Sequence, residues 1–387
     1  MQQQAAPNPM QMQANNEMAR NFVVRNSLKM KQEIFSQTLD PASQNVINIG
    51  NNAIRYAGVL LGFIVEISGA IENTDGAAET LTRTPFGTAN ILKEIRFDDL
   101  SNYTRIQVPG WHLAMLNTAR LGYGYGGVYS PNLPMDYGNN YDVFEGPATI
   151  AAGATADVRH VYYVPISYSN SDLRGSIYMN SVNANANLQL TINPTPTSEA
   201  GNPVDKLYTG TTGGWAGNVT VTVTQVYLSQ IPTDQNGAPI LPMMDLATTY
   251  DLKQTAFVGV TVGQDFPMQY SNERSFLSTF AVFDNGGVFN DGTDVNYWAL
   301  RSANFTNLFK IGPKLAALDG RHSIMADFPS GVTYFESRDT PINTINFGNM
   351  ELVLNASTAN NGARVLVGFE AFALTNLVAG ASSLGGG

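Results

Sequence analysis

The densest cluster of metal-ligating oxygens lies in residues 281–297, AVFDNGGVFNDGTDVNY, where Asp284, Asn285, Asn290, Asp291, Asp294 and Asn296 surround Gly286, Gly287 and Gly292. Carboxylates and carboxamides are the donors that calcium loops use. An EF-hand needs oxygens at positions 1, 3, 5 and 12 with Gly at 6; starting at Asn290 puts Gly292 at position 3 and Val295 at position 6. Starting at Asp284 puts Gly286 at position 3. The nonapeptide β-roll repeat fails too, because Phe289 stands where its third Gly belongs. A turn in which Gly supplies positive φ and Asn or Asp side chains bond nearby amides accounts for the same residues, and is the expectation over a metal site.

Other chemistry is sparser. His112, His160 and His322 are scattered without the spacing that puts two imidazoles on one metal, so structural or surface roles are expected. GYGYGG at Gly122–Gly127 matches a dinucleotide-binding glycine pattern, but it follows a helix-like segment and no βαβ unit surrounds it, so a Gly/Tyr loop is expected. No nucleophile elbow, Walker loop or kinase motif occurs. Glu66, Glu72, Glu94 and Asp98 lie in strand-like segments and could supply the two carboxylates of a glycoside hydrolase if a cleft brought a pair together. No catalytic residue, metal or cofactor is expected, and a jelly-roll carbohydrate-binding protein or glycosidase is the alternative function.

The elements that would position such residues are mostly strands. Charged residues are only 13% of 387, and the formal net charge is −10, which argues against a surface built to clasp nucleic acid. Cysteine is absent, which excludes disulfides and thiolate sites. The longest apolar run, AGVLLGFIVEISGAI at 57–71, is short of the ~18–20 residues of a membrane span and carries Glu66, so a buried strand is expected. The N-terminus lacks a basic region followed by an apolar one, so no signal peptide is expected.

Residues 1–16 form a Gln-, Asn- and Met-rich arm. From Asn16 to about Gln37 the pattern predicts a loosely amphipathic helix carrying Met18, Phe22, Val23, Leu28, Met30 and Phe35 on its apolar side. Arg20, Arg25, Lys29 and Lys31 against Glu17 leave residues 1–31 at +3 and the remainder at −13. The basic segment is either a solvated helix face or one directed at an anionic surface. Beyond Asp40 alternation dominates: Phe63, Val65 and Ile67; Leu188, Leu190 and Ile192; Val219, Val221 and Val223; then runs at 345–354 and 365–371. Only two internal segments read as helical, 111–121 and 296–305, each with a Trp. The passage 231–245, IPTDQNGAPILPMMD, reads as a boundary between two β units of one design. The division expected is 1–39 as arm and basic helix, 40–235 as a first unit, and 236–387 as a second ending in a Gly-rich tail. Many short strands without crossover helices predict an all-β sandwich or jelly roll.

Longer blocks carry a resemblance. They are GWHL at 110–113 with NTA at 117–119, PATIAAGAT at 147–155, YYVP at 162–165 and SDL at 171–173. In the second half stand Asn236-Gly237, ILP at 240–242, Asp245-Leu246, LST at 277–279, AVFDNGG at 281–287, GTD at 292–294, ANF at 303–305, DFP at 327–329, Arg338-Asp339 and Gly348-Asn349. Over roughly Asp40 to Leu374 the chain resembles the major capsid protein of the tectiviruses, icosahedral phages with a membrane beneath the protein shell. The resemblance implies a double jelly roll, two eight-stranded sandwiches in one chain, and a homotrimer of pseudo-sixfold outline. Expected partners are neighbouring capsid trimers, minor capsid, penton and membrane-associated virion proteins, and the internal lipid membrane through the N-terminal helix, without direct genome binding. It also implies a virion location, assembly in the host bacterial cytoplasm, and Arg20, Arg25, Lys29 and Lys31 as membrane-facing or inner-shell residues.

Overall fold

A computed structural model describes residues 9–40, 46–54, 58–74, 79–84, 86–99, 102–125, 143–179, 189–194, 205–210, 213–288, 293–303, 305–324, 328, 331–344 and 349–373. Helix α1 (Pro9–Asn26) is followed by β1 (Leu28–Leu39), β2 (Ile47–Ile49), the single turn α2 (Asn51–Ile54), β3 (Val59–Asn73) and β4 (Leu81–Arg83). A 3-10 turn at Gly87–Ile91 leads into β5 (Leu92–Asp98), β6 (Thr104–Val108) and helix α3 (Gly110–Tyr125). Then come β7 (Val143–Glu145), β8 (Thr149–Ile150), β9 (Thr155–Pro165), β10 (Ile177–Tyr178), β11 (Gln189–Pro194), β12 (Tyr208–Thr209), β13 (Gly213–Trp215) and β14 (Val219–Ser229). Past the Pro-rich passage lie α4 (Met243–Ala247), β15 (Thr249–Val258), β16 (Asp265–Gln269), β17 (Arg274–Asp284), β18 (Val295–Ser302) and β19 (Phe305–Ile311). Helix α5 (Pro313–Ile324), β20 (Val332–Glu336), β21 (Ile342–Asn343), β22 (Met350–Ala356) and β23 (Arg364–Ala373) follow.

Alternation decides which face each strand buries. In β3, Phe63, Val65, Ile67 and Ile71 are fully buried, while Glu66, Ser68 and Glu72 point the other way. Burial of each such apolar side chain contributes about 1.5–3 kcal/mol. β3 is the middle of a sheet ordered β1-β14-β3-β9-β7. Its inner face meets β5 of a second sheet, with the Phe63 and Phe97 rings 5.8 Å apart. That second sheet runs β2-β11-β5-β6-β15-β23-β17-β20, so it crosses the Pro-rich passage. The crossing is a parallel join of β6 to β15 at Ile106–Leu252 and Gln107–Lys253. Beyond it, β15, β23, β17 and β20 face a sheet ordered β16-β22-β18-β19 across Trp298, Phe369, Tyr270 and Phe276.

Two helices fill the join. Helix α3 buries Trp111, His112, Leu113, Ala114, Met115, Leu116 and Ala119, almost its whole circumference over these turns. His112 lies against Gly368 of β23, where a Cβ would come within 2.6 Å of the imidazole, so only Gly permits the approach. Helix α5 packs on β20 and β18.

Three expectations are corrected. The N-terminal helix does not continue to Gln37; it stops at Asn26, and Leu28–Leu39 pairs along its length with β14 as an edge strand. A ladder partner about two hundred residues away decides that conformation, and local periodicity cannot register it. The second expected Trp-containing helix is strand β18, in which Val295, Trp298, Ala299 and Leu300 are buried between β22 and β19. GYGYGG is not wholly loop, since α3 extends to Tyr125, and its last two residues lie outside the described residues. Leu188 and 345–348 also lie outside them.

Candidate functional site

Helix α1 packs with the spacing 16, 20, 23. Asn16 Nδ2 donates to Asp245 Oδ1 at 2.8 Å, Arg20 donates to both oxygens of the same carboxylate at 2.5 and 2.7 Å, and Val23 is fully buried against Val59, Leu61, Leu173, Val226 and Leu228. Asn16 Oδ1 also accepts from the Met244 amide at 2.9 Å. The Asp245 side chain is only 2% exposed, and its hydrogen bond holds the Arg20 guanidinium above its ordinary pKa.

The opposite stripe of α1, at 18, 22 and 25, is Met18, Phe22 and Arg25, all exposed. Met10 extends it, and Met10 and Met18 stand 81% and 63% exposed. This helix presents large apolar side chains outward, the reverse of a helix that only covers a core. On β1, Lys29 and Lys31 lie opposite Leu228 and Val226 in the ladder and share their sheet face, the one on which Val23 of α1 packs. Burial, and then the neighbouring Lys31, lower the Lys29 pKa. Of the four basic residues singled out in the sequence, Arg25, Lys29 and Lys31 are thus exposed along one side of the molecule, and Arg20 is an anchor beneath them.

The loop after β17 is a clamp. Asp284 Oδ1 accepts from the Gly287 amide at 2.7 Å and Oδ2 from Arg364 Nε at 2.8 Å. Asn285 donates to Asp294 Oδ2 at 2.7 Å and accepts from the Asn360 amide at 2.5 Å. Gly286 has φ +68°, as a tight turn demands. Protein donors occupy both oxygens of Asp284, Oδ1 of Asn285 and Oδ2 of Asp294; Asn290 and Asp291 lie outside the described residues. Trp298 beyond the loop stands on a strand, so this joint links two strands. Among the described residues no group of three or more His, Asp or Glu is placed to hold a metal.

The remaining candidates disperse. Glu66 and Glu72 face outward from β3, with Glu66 bound by Arg159 at 2.7 Å. Glu94 and Asp98 belong to β5 of the opposing sheet, where they and Arg96 line a surface depression of about 410 Å³. The core separates the two pairs, and within the depression Asp98 accepts from Arg96 and Thr104 and Glu94 from Gln107. His112 is fully buried and burial drives its pKa down to about 3, His160 is buried beside Tyr162, and His322 is exposed.

A buried ion-pair network went unnoticed in the sequence. Glu370 on β23 is fully buried and meets Arg120 of α3, the Ser278 hydroxyl at 2.6 Å and the Tyr250 hydroxyl at 3.2 Å, with Arg338 at 3.5 Å. Burial alone would raise its pKa, yet Arg120 and Arg338 pull it down to about 2. No periodicity announces such a site; a Glu inside the apolar run RVLVGFEAFA was its one signal.

Among the described residues no catalytic constellation forms, and the arrangement of two adjoining sandwiches matches solved viral capsid proteins. The STIV MCP matches at a TM-score of 0.62 with 13% identity, covering 90% of this chain and 97% of that one. PBCV-1 VP54, as fitted into a reconstruction of the virophage Sputnik, matches at 0.53 with 10% identity, over 90% and 94%. The class is the double jelly-roll viral capsid protein. At finer grain, the family described as P3 major capsid protein N-terminal matches residues 2–231, and P3 major capsid protein C-terminal matches 247–384. Major capsid protein P3 of Enterobacteria phage PRD1 is 40% identical over 377 residues, 96% of this chain and 94% of that protein. The chain belongs to the P3 major capsid protein family: it is a structural component of a bacteriophage capsid that assembles with other copies into a shell, and not an enzyme.

Proposed function

We propose that three copies form a pseudo-hexagonal capsomer, that such trimers tile an icosahedral shell around the internal membrane of a double-stranded DNA phage, and that α1 with the start of β1 faces that membrane. The observation that carries the reading is the outward stripe of Met18, Phe22 and Arg25 beside Lys29 and Lys31, on a helix anchored from below by Arg20 and Asp245. Apolar side chains next to cations suit a lipid surface with anionic head groups, each cation near it contributing about 1 kcal/mol. Arg20 is a positioning residue in this scheme and Arg25, Lys29 and Lys31 are the contacts. Minor capsid, penton and membrane-associated proteins complete the shell, and assembly takes place in the host cytoplasm.

The chain divides near residue 235, with two sandwiches giving each copy two similar lobes and three copies a six-lobed outline. Residues 28–39 go with the first unit through their ladder to β14, so the arm ends near Ser27. Light scattering on the chromatographed protein is expected to give three times 41.7 kDa. Neutralising Arg25, Lys29 and Lys31 together should leave that mass unchanged while lowering recovery on anionic vesicles at least tenfold, about 1.4 kcal/mol in binding. Unchanged vesicle recovery would sink the membrane reading, and a monomer the trimer reading.

A further inference from the structure

Between α3 and the turn after β20 lies a cavity of about 190 Å³, lined by Asn117, Arg120, Tyr163, Tyr168, Ser169, Asn170 and Arg338. Its polar groups are unevenly satisfied. Every nitrogen of Arg120 has an acceptor: Nε and Nη2 reach Glu370, Nη1 the Tyr168 carbonyl at 2.8 Å, and Nη2 the Tyr250 hydroxyl at 2.8 Å. Arg338 differs. Its Nη1 and Nη2 approach Glu336 and Glu370 only at 3.5 Å, and its buried Nε and Nη2 have no hydrogen-bond partner. Asn117 is 1% exposed, and its Nδ2 has no partner either.

The unmatched groups are all donors. A buried donor without an acceptor is costly, and native proteins seldom keep one without a ligand or solvent to receive it. A single water could accept from only two of the three and would leave one donor unmet. Asn117 and Arg338 line the same cavity, and an anion held there would accept from their donors and bring no proton of its own. Glu336 and Glu370 offset the charges of Arg120 and Arg338, so the cavity lacks the excess positive charge that a multiply charged ion requires. The volume excludes a nucleotide or a lipid head group with its glycerol.

The geometry points to a binding site for one small monovalent anion, a halide or nitrate, between Asn117 Nδ2 and the Nε and Nη2 of Arg338. The site draws its donors from both sides of the Pro-rich passage, so an occupied cavity fastens α3 to the turn after β20. It is independent of the membrane reading.

The test uses the full-length protein crystallised with bromide, with anomalous data collected at the bromine edge. A peak within hydrogen-bond distance of Asn117 Nδ2 and Arg338 Nε is expected. In solution, bromide should raise the melting temperature saturably against a bulky sulfonate at matched ionic strength. Asn117→Leu removes one donor at similar volume and should raise the half-saturating bromide concentration at least about tenfold. Should Asn117→Leu fail to fold, Arg338→Lys, which keeps the charge but loses the fork, is expected to shift the titration the same way. A cavity holding only water, or a bromide response equal in wild type and folded variant, would overturn the assignment.

Discussion

Asp245 is one carboxylate that accepts three hydrogen bonds from Asn16 and Arg20 of α1, and it decides whether the N-terminal surface is held in place. Asp245→Asn keeps the shape but removes the charge that both Arg20 nitrogens address. Arg20 is partly exposed and can turn to water, so the expected loss is about 2 kcal/mol, the range of a hydrogen bond to a charged group. Limited proteolysis should then cut within α1 while the β body stays intact; an unchanged digestion pattern would show that Val23 alone suffices. Glu370 makes a sharper case. Its folded pKa of about 2 lies below the ordinary 4.5, so its contribution is complete above about 4.5 and is lost as pH falls from there toward about 2. Glu370→Gln leaves Arg120 and Arg338 buried together without their shared counter-charge, at a cost of about 3–5 kcal/mol by denaturant titration, and should flatten the acid limb of stability over that window. Neither carboxylate could be found by spacing, because the Arg partners stand 225 and 250 residues away in the chain.

Among the elements, the strongly alternating strands were legible, and the segments whose conformation depends on remote partners were not. Phe63, Val65 and Ile67, and Val219, Val221 and Val223, bury the faces their periodicity assigned. The segment 296–305 carries residues compatible with helix, yet β22 and β19 flank it and make it a strand. Trp298→Ala is expected to cost about 3–5 kcal/mol, since the indole is 1% exposed in the second core and cannot be replaced by water. A loss under 1 kcal/mol in urea titration would mean that the second core closes around the gap. Helix α5 was missed although its signals are local: Pro313 at the first helical position and Lys314, Leu315, Ala316, Ala317 and Leu318 behind it. The loop 281–297 was read as a turn, and the side-chain clamp at Asp284 and Asn285 supplies the physical reason for its dense Asn and Asp.

At the scale of the molecule, all-β composition and long ordered blocks were enough to reach the double jelly roll, while the way its parts join was not written locally. One sheet crosses the Pro-rich passage through β6 and β15, and the larger core takes Leu252, Phe280, Tyr334 and Phe372 from beyond it. The chain is therefore one body with two lobes, a suitable brick for a shell. Its candidate site was only partly legible: charge placed the basic residues near the N-terminus, but the structure divides them into an anchor, Arg20, and an outward group, Arg25, Lys29 and Lys31. Electron cryomicroscopy of purified particles tests the account most directly. It should show three copies per capsomer, with Met18, Phe22, Arg25, Lys29 and Lys31 turned toward an inner lipid layer. Capsomers of another copy number, or that surface on the outside of the shell, would contradict it.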